Sequence, residues 1–135
     1  MLKLNKRRLY KAVAFIIFIV FISCKGDDDA YVPLEIVTQA DSAMVSSLET
    51  ITISVLSNDT NVPEEGVLSF TTASNGVVST NDQGTPSDVR DDSFTYDPDN
   101  EFDGVDTFQY TICNELGSGC KTETVTITVA ITSPV

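Results

Sequence analysis

An all-β sandwich of about seven antiparallel strands is predicted for this 135-residue chain, and three observations predict it. Apolar residues beyond position 50 recur at a period of two, which places one face of each run in a core and the other in water. Turn-forming clusters interrupt the runs: Ser57-Asn58-Asp59-Thr60, Asn75-Gly76, Asp97-Pro98-Asp99-Asn100, Asp103-Gly104 and Gly117-Ser118-Gly119. No stretch of this region carries the i, i+3, i+4 stripe of an amphipathic helix.

The first segment stands apart from the sandwich. Lys3, Lys6, Arg7, Arg8 and Lys11 precede eleven apolar residues, positions 12–22, which end at Ser23-Cys24. Crossing a bilayer takes roughly 20 apolar residues, so the run reads as the h-region of a signal peptide. Phe21-Ile22-Ser23-Cys24 resembles a bacterial lipobox, with Phe21 where Leu is usual. The resemblance implies lipidation of the Cys24 thiol, cleavage before it, and acylation of the new amino terminus. The alternatives are an uncleaved anchor or an ordinary secretory signal. Against both, a cysteine stands at the edge of the apolar run and no Ala-x-Ala site lies near it. Lys25-Gly26-Asp27-Asp28-Asp29 resembles the export signals that send lipoproteins of some Gram-negative bacteria to the outer face of the outer membrane. The expected organisation is a signal peptide over 1–23, a lipidated cysteine and acidic tether over 24–34, and the sandwich over 35–135.

Loss of residues 1–23 would leave Lys25, Arg90 and Lys121 against 20 carboxylates, a formal charge of −17. Nucleic acid is excluded as a partner, because neutralising phosphates takes clustered Lys and Arg. Such a charge favours solubility and attracts divalent cations. The chain has no histidine, which removes imidazole acid–base chemistry, His-containing triads and His-ligated metals. No enzyme is expected. The length left after cleavage suits one domain with one core.

The apolar runs follow in order. They are Ile51, Ile53 and Val55; Leu68 and Phe70; Phe94 and Tyr96; Phe108, Tyr110 and Ile112; and Val125, Ile127, Val129 and Ile131. Residues 122–128 alternate Thr with Glu, Val and Ile, as a strand with one buried face does. Besides Cys24, the cysteines are Cys113 and Cys120, an even pair in a chain bound for an oxidising compartment. Placing them opposite one another sets Phe108 beside Val125, Tyr110 beside Glu123 and Ile112 beside Lys121. A slip of one residue would put the apolar sets on opposite faces, so the bridge and the register support each other. The bridge would staple the hairpin tip around residues 114–119, with Cys113 pointing away from the core by alternation.

Val55-Leu56-Ser57-Asn58-Asp59-Thr60, Tyr96-Asp97-Pro98, the run from Phe102 through Gly104, Asp106 and Phe108 to Tyr110, and residues 123–129 together resemble bacterial immunoglobulin-like or cadherin-like repeats of surface adhesins, a match over most of residues 40–131. It implies an immunoglobulin-like sandwich in which Tyr110 takes the tyrosine-corner role, its hydroxyl bonded to backbone upstream, and Phe102 and Phe108 lie in the core. Most aromatics of the region are then inward, which disfavours an aromatic platform for sugars. Such repeats usually come in series, and Ser133-Pro134-Val135 can lead into another.

Candidate sites are few. Asp97, Asp99, Glu101, Asp103 and Asp106 supply hard oxygen ligands at alternate positions, the pattern Ca2+ requires, and Asp99 to Gly104 imitates half an EF-hand loop. Tyr110 stands where that loop needs a bidentate Glu. The other reading is a turn in which these carboxylates bond backbone amides. Asp82, Asp88, Asp91 and Asp92 lie in a long polar stretch that reads as a recognition loop or as plain surface. Asp41-Ser42-Ala43 weakly resembles a bacterial O-glycosylation acceptor. The function expected is a surface-anchored, non-enzymatic module at the bacterial outer membrane, for adhesion or protein–protein contact with an unidentified protein or surface ligand. The rival is a structural or accessory subunit of an envelope assembly.

Overall fold

The computed structural model describes residues 34–131; the Cys24 and signal-peptide readings lie outside them. Seven strands form two sheets: β1 (Asp41–Ser46), β2 (Ile51–Ile53), β3 (Val67–Phe70), β4 (Gly76–Asn81), β5 (Ser93–Pro98), β6 (Gly104–Cys113) and β7 (Lys121–Ala130). One sheet has the order β1-β7-β6-β3 and the other β2-β5-β4. Among the described residues no helix is long and apolar enough to cross a membrane.

The β6–β7 hairpin adopts the register that the cysteine pair implies, with Phe108 opposite Val125, Tyr110 opposite Glu123 and Ile112 opposite Lys121. Cys113 and Cys120 are bridged, 4.0 Å apart at Cα, and Cys113 is buried at the hairpin end without joining the core cluster. Not every pair is antiparallel: β1 lies parallel to β7, from Asp41 opposite Val125 to Ser46 opposite Ala130. A two-residue turn cannot make that pairing, which joins the first strand to the last of the same sheet.

The core gathers inward residues of both sheets, with Phe94, Tyr96, Tyr110, Ile112, Val125 and Ile127 fully buried. Phe94 meets Phe108 edge-on at 5.4 Å between ring centres and Phe70 at 5.1 Å, separations typical of stabilising aromatic pairs. The strand from Ile51 ends sooner than its alternation suggests. Val55–Asn58 form a 3-10 turn that buries Val55 and Leu56 on successive positions. Phe102 is only partly buried, packed against the core edge, and Ile131, one residue past β7, is half exposed.

Candidate functional site

Two buried tyrosines organise the molecule, and each reaches across it to an aspartate. The Tyr96 hydroxyl, on β5, donates to Oδ2 of Asp106 on β6 at 3.0 Å and lies 3.2 Å from the Asn75 carbonyl. Asp106 Oδ2 also accepts from the Asn75 N–H at 2.8 Å, and its Oδ1 from the N–H groups of Ser74 at 3.2 Å and Thr107 at 2.9 Å. Burial pushes the Asp106 carboxyl up, but these N–H donors and the Tyr96 hydroxyl together hold it below the usual carboxylate range. The carboxylate thereby fastens the β3–β4 connection to β6 and joins the two sheets.

Tyr110 on β6 makes the second latch. Its hydroxyl donates to Asp59 Oδ2 at 2.8 Å, whereas the Gln39 carbonyl is 3.4 Å away. The tyrosine-corner expectation of an upstream backbone partner is met by the longer contact, and the closer acceptor is a side chain, supplied by the segment after the 3-10 turn. Asp59 Oδ1 accepts from the Gln39 N–H at 2.8 Å, and a bridge between Val37 and Thr60 completes the clamp. Burial first, then Asp59, drives the Tyr110 phenol far above its ordinary value, so the hydroxyl stays a donor at physiological pH.

Beside this latch Asp41 is pushed up to about 6, by burial and by the nearby Asp59 and Glu123 carboxylates, against a lowering bond from Asn58. The Asn58 amide donates to Asp41 Oδ1 at 3.1 Å, while Asp41 Oδ2 has no hydrogen-bond partner.

The five carboxylates expected to form a cation site are not brought together. Asp106 is 4% exposed and already holds four hydrogen bonds, while Asp97, Asp99, Glu101 and Asp103 are exposed around the β5–β6 turn. Among the described residues no group of three or more His, Cys, Asp or Glu is placed to hold a metal ion. Asp106 shares the inward parity of Phe108 and Tyr110, and that parity is the signal that could have separated it from its exposed neighbours.

The second acidic stretch, residues 82–92, is knitted to itself. Asp82 accepts from the Gly84 N–H, Asp91 from the Thr85 hydroxyl, and Asp88 from the Arg90 guanidinium at 2.7 and 2.8 Å. The Arg90 bonds hold Asp88 down to about 2. Asp92 Oδ1 is buried without a hydrogen-bond partner.

The sandwich has two unlike ends. At one, Leu34, Glu35 and Ile36 run beside the disulfide hairpin and share with Asn114, Cys120 and Lys121 a groove of about 350 Å³. There Lys121 pairs with Glu35 at 2.5 Å, and the Asn114 side chain accepts from the Leu116 and Ser118 N–H groups, which shapes the stapled loop. The opposite end gathers residues 47–50, 71–75 and 98–103, with Thr50 bonded to Asp97 and the Asp99 N–H to the Asn75 carbonyl.

One surface carries no charge. The outward positions of β7 are Thr122, Thr124, Thr126, Thr128 and Ala130, and those of β6 are Val105, Thr107, Gln109 and Thr111. β1 adds Ser42, Met44 and Ser46, and β3 adds Val67 and Ser69. Cross-strand neighbours stand in rows such as Ser42–Thr126–Thr107 and Thr122–Thr111–Ser69, and the Thr111 and Thr122 hydroxyls bond at 2.7 Å.

Two stacked sheets, a parallel first strand and tyrosine latches between the sheets define an immunoglobulin-like β-sandwich domain. The chain belongs to the bacterial Ig domain family, whose model matches residues 29–128. No curated protein matches it. Among solved structures it is similar to an endo-fucoidan hydrolase of glycoside hydrolase family 107, at 12% identity and a TM-score of 0.46 over 73% of this chain and 14% of that one. A second is a SusE-like, surface-located polysaccharide binding protein of the Bacteroides thetaiotaomicron heparin utilisation locus, at 21% identity and a TM-score of 0.42 over 72% of this chain and 14% of that one. Both likenesses concern the fold of one small part of a larger molecule.

Proposed function

We propose that the protein is a non-enzymatic immunoglobulin-like module, held by lipid on Cys24 at the outer face of the outer membrane, which makes adhesive or protein–protein contacts with the end of the sandwich remote from its anchor. The observation that carries this reading is that Leu34 lies at the disulfide-hairpin end. Leu34 lies ten positions after Cys24, a reach of at most about 35 Å. The hairpin end is therefore kept near the membrane. The loops at 47–50, 71–75 and 98–103 point outward.

At that outer end Leu48 is 71% exposed beside Glu49 in the chain, and Asp97, Asp99, Glu101 and Asp103 are exposed at the same end. An apolar side chain within an acidic rim fits a protein partner that offers a small apolar recess ringed by Lys and Arg. The buried carboxylate of Asp106 is engaged by backbone N–H groups and a phenol, and no imidazole exists in the chain.

Site-specific photo-crosslinking in living cells tests the reading. A crosslinker at position 48 is expected to capture a discrete protein adduct, and the same group at position 116, on the hairpin loop, is expected to capture none of that species. Absence of any adduct at position 48, or the same adduct from both positions, would overturn it.

A further inference from the structure

The outward face of the β1-β7-β6-β3 sheet is out of keeping with the rest of the molecule. Twenty of the chain's 135 residues are acidic, yet none occupies an outward position on β6 or β7, where Thr, Val, Gln and Ala stand, nor on β1 or β3. Asp41, Asp106, Lys121 and Glu123 all belong to the inward parity of their strands. The usual outward face of a sheet in water is mixed in charge. This one is neutral, hydroxyl-bearing and partly apolar, with Met44 75% and Val105 61% exposed on the same row as Thr128.

We propose that this face is a self-association surface, on which a second copy of the chain packs face to face about a two-fold axis. Charge and size together select that occupant. Two molecules of the same strong negative charge repel one another over their loops, and this sheet face is where two copies meet without opposing carboxylates. Depletion of charge is also what distinguishes the centre of an interface from ordinary surface.

The four strands, six, ten, ten and four residues long and spaced about 4.8 Å apart, present a flat area of roughly 500 Å². Two such faces bury about 1,000 Å² in all, the lower limit for a specific interface. Two sheets of equal twist stack with their strands about 30° apart, and the interdigitating groups are the methyls and hydroxyls of the threonine rows. A two-fold axis along the strands leaves both Leu34 ends on the same side, so the arrangement suits two molecules rooted in one surface.

The experiment uses the full-length protein in its own membrane. With Cys113 and Cys120 bridged, Thr126→Cys places a thiol at the centre of the face, and Gln109→Cys places a second, separately made, on β6. Ser79→Cys, exposed on the outward side of β4, is the control. A short bis-maleimide is expected to give a species of twice the chain's mass from Thr126→Cys and Gln109→Cys and at least about tenfold less from Ser79→Cys. Adding Thr107→Glu opposes two carboxylates across the axis and is expected to cut the dimer yield by about a hundredfold. The proposal is overturned by equal yields from face and control, by no cross-linked species from either face position, or by an adduct of any other mass, which would make the occupant a different protein.

Discussion

Asp106 and Asp41 are both partly or wholly buried carboxylates, and the environment sends them in opposite directions. Asp106 lies below the ordinary value of 3.8 because burial is outweighed by four donors. Its contribution to stability is present above pH 4 and is lost as the pH falls through its folded value. Asp41, raised to about 6 by burial and two neighbouring carboxylates, does the reverse. The folded state keeps this proton where the unfolded chain has released it, so stability falls as the pH climbs from about 4 to 6. Asp41→Asn is expected to flatten that fall in urea titrations across the interval, and an unchanged slope would contradict the assignment. Asp106→Ala strands three backbone N–H groups and the Tyr96 phenol, and is expected to cost about 3 kcal/mol or more by the same method. Tyr110→Phe removes one bond to a charged acceptor and is expected to cost about 1.5 to 3 kcal/mol.

At the scale of elements, the β6–β7 hairpin was the most legible part, because a period-two apolar pattern and a cysteine pair constrained the same register. Reducing the bridge, or replacing both cysteines by serine, is expected to lower stability by about 2 to 3 kcal/mol while the fold persists, since parity alone fixes the pairing. Retention of the far-UV spectrum with a lower urea midpoint is the expected result. β1 was harder to read. Its inward residues are Asp41, Ala43 and Val45, and a polar first position hides the alternation. β4 was concealed by Asn75-Gly76, which reads as a turn. Gly76 instead opens the strand, and a Cβ there would lie 2.6 Å from the Tyr96 ring and 2.7 Å from the Asp97 carbonyl. Gly76→Ala is expected to destabilise by about 1 to 3 kcal/mol through displacement of that ring.

Taken whole, the molecule is a small acidic sandwich whose two ends and one sheet face differ in chemistry. Fold class was legible because it rests on periodicity, which is local. Residue roles in the acidic turn were not, because Asp106 and its exposed neighbours share a side-chain type and differ only in what the other sheet brings to them. With Asp106 engaged inside the protein and the remaining turn carboxylates unconverged, Ca2+ at 1 mM is expected to shift the melting temperature no more than Mg2+ at the same concentration. A saturable shift with Ca2+ alone would contradict that. On the proposed orientation the end opposite Leu34 faces the medium. Thr72→Cys, exposed in the 71–75 loop at that end, should react with a membrane-impermeant maleimide on intact cells, and Cys24→Ala should remove the signal from the cell surface. Labelling only after the outer membrane is broken would contradict the account and point to an inward-facing structural subunit.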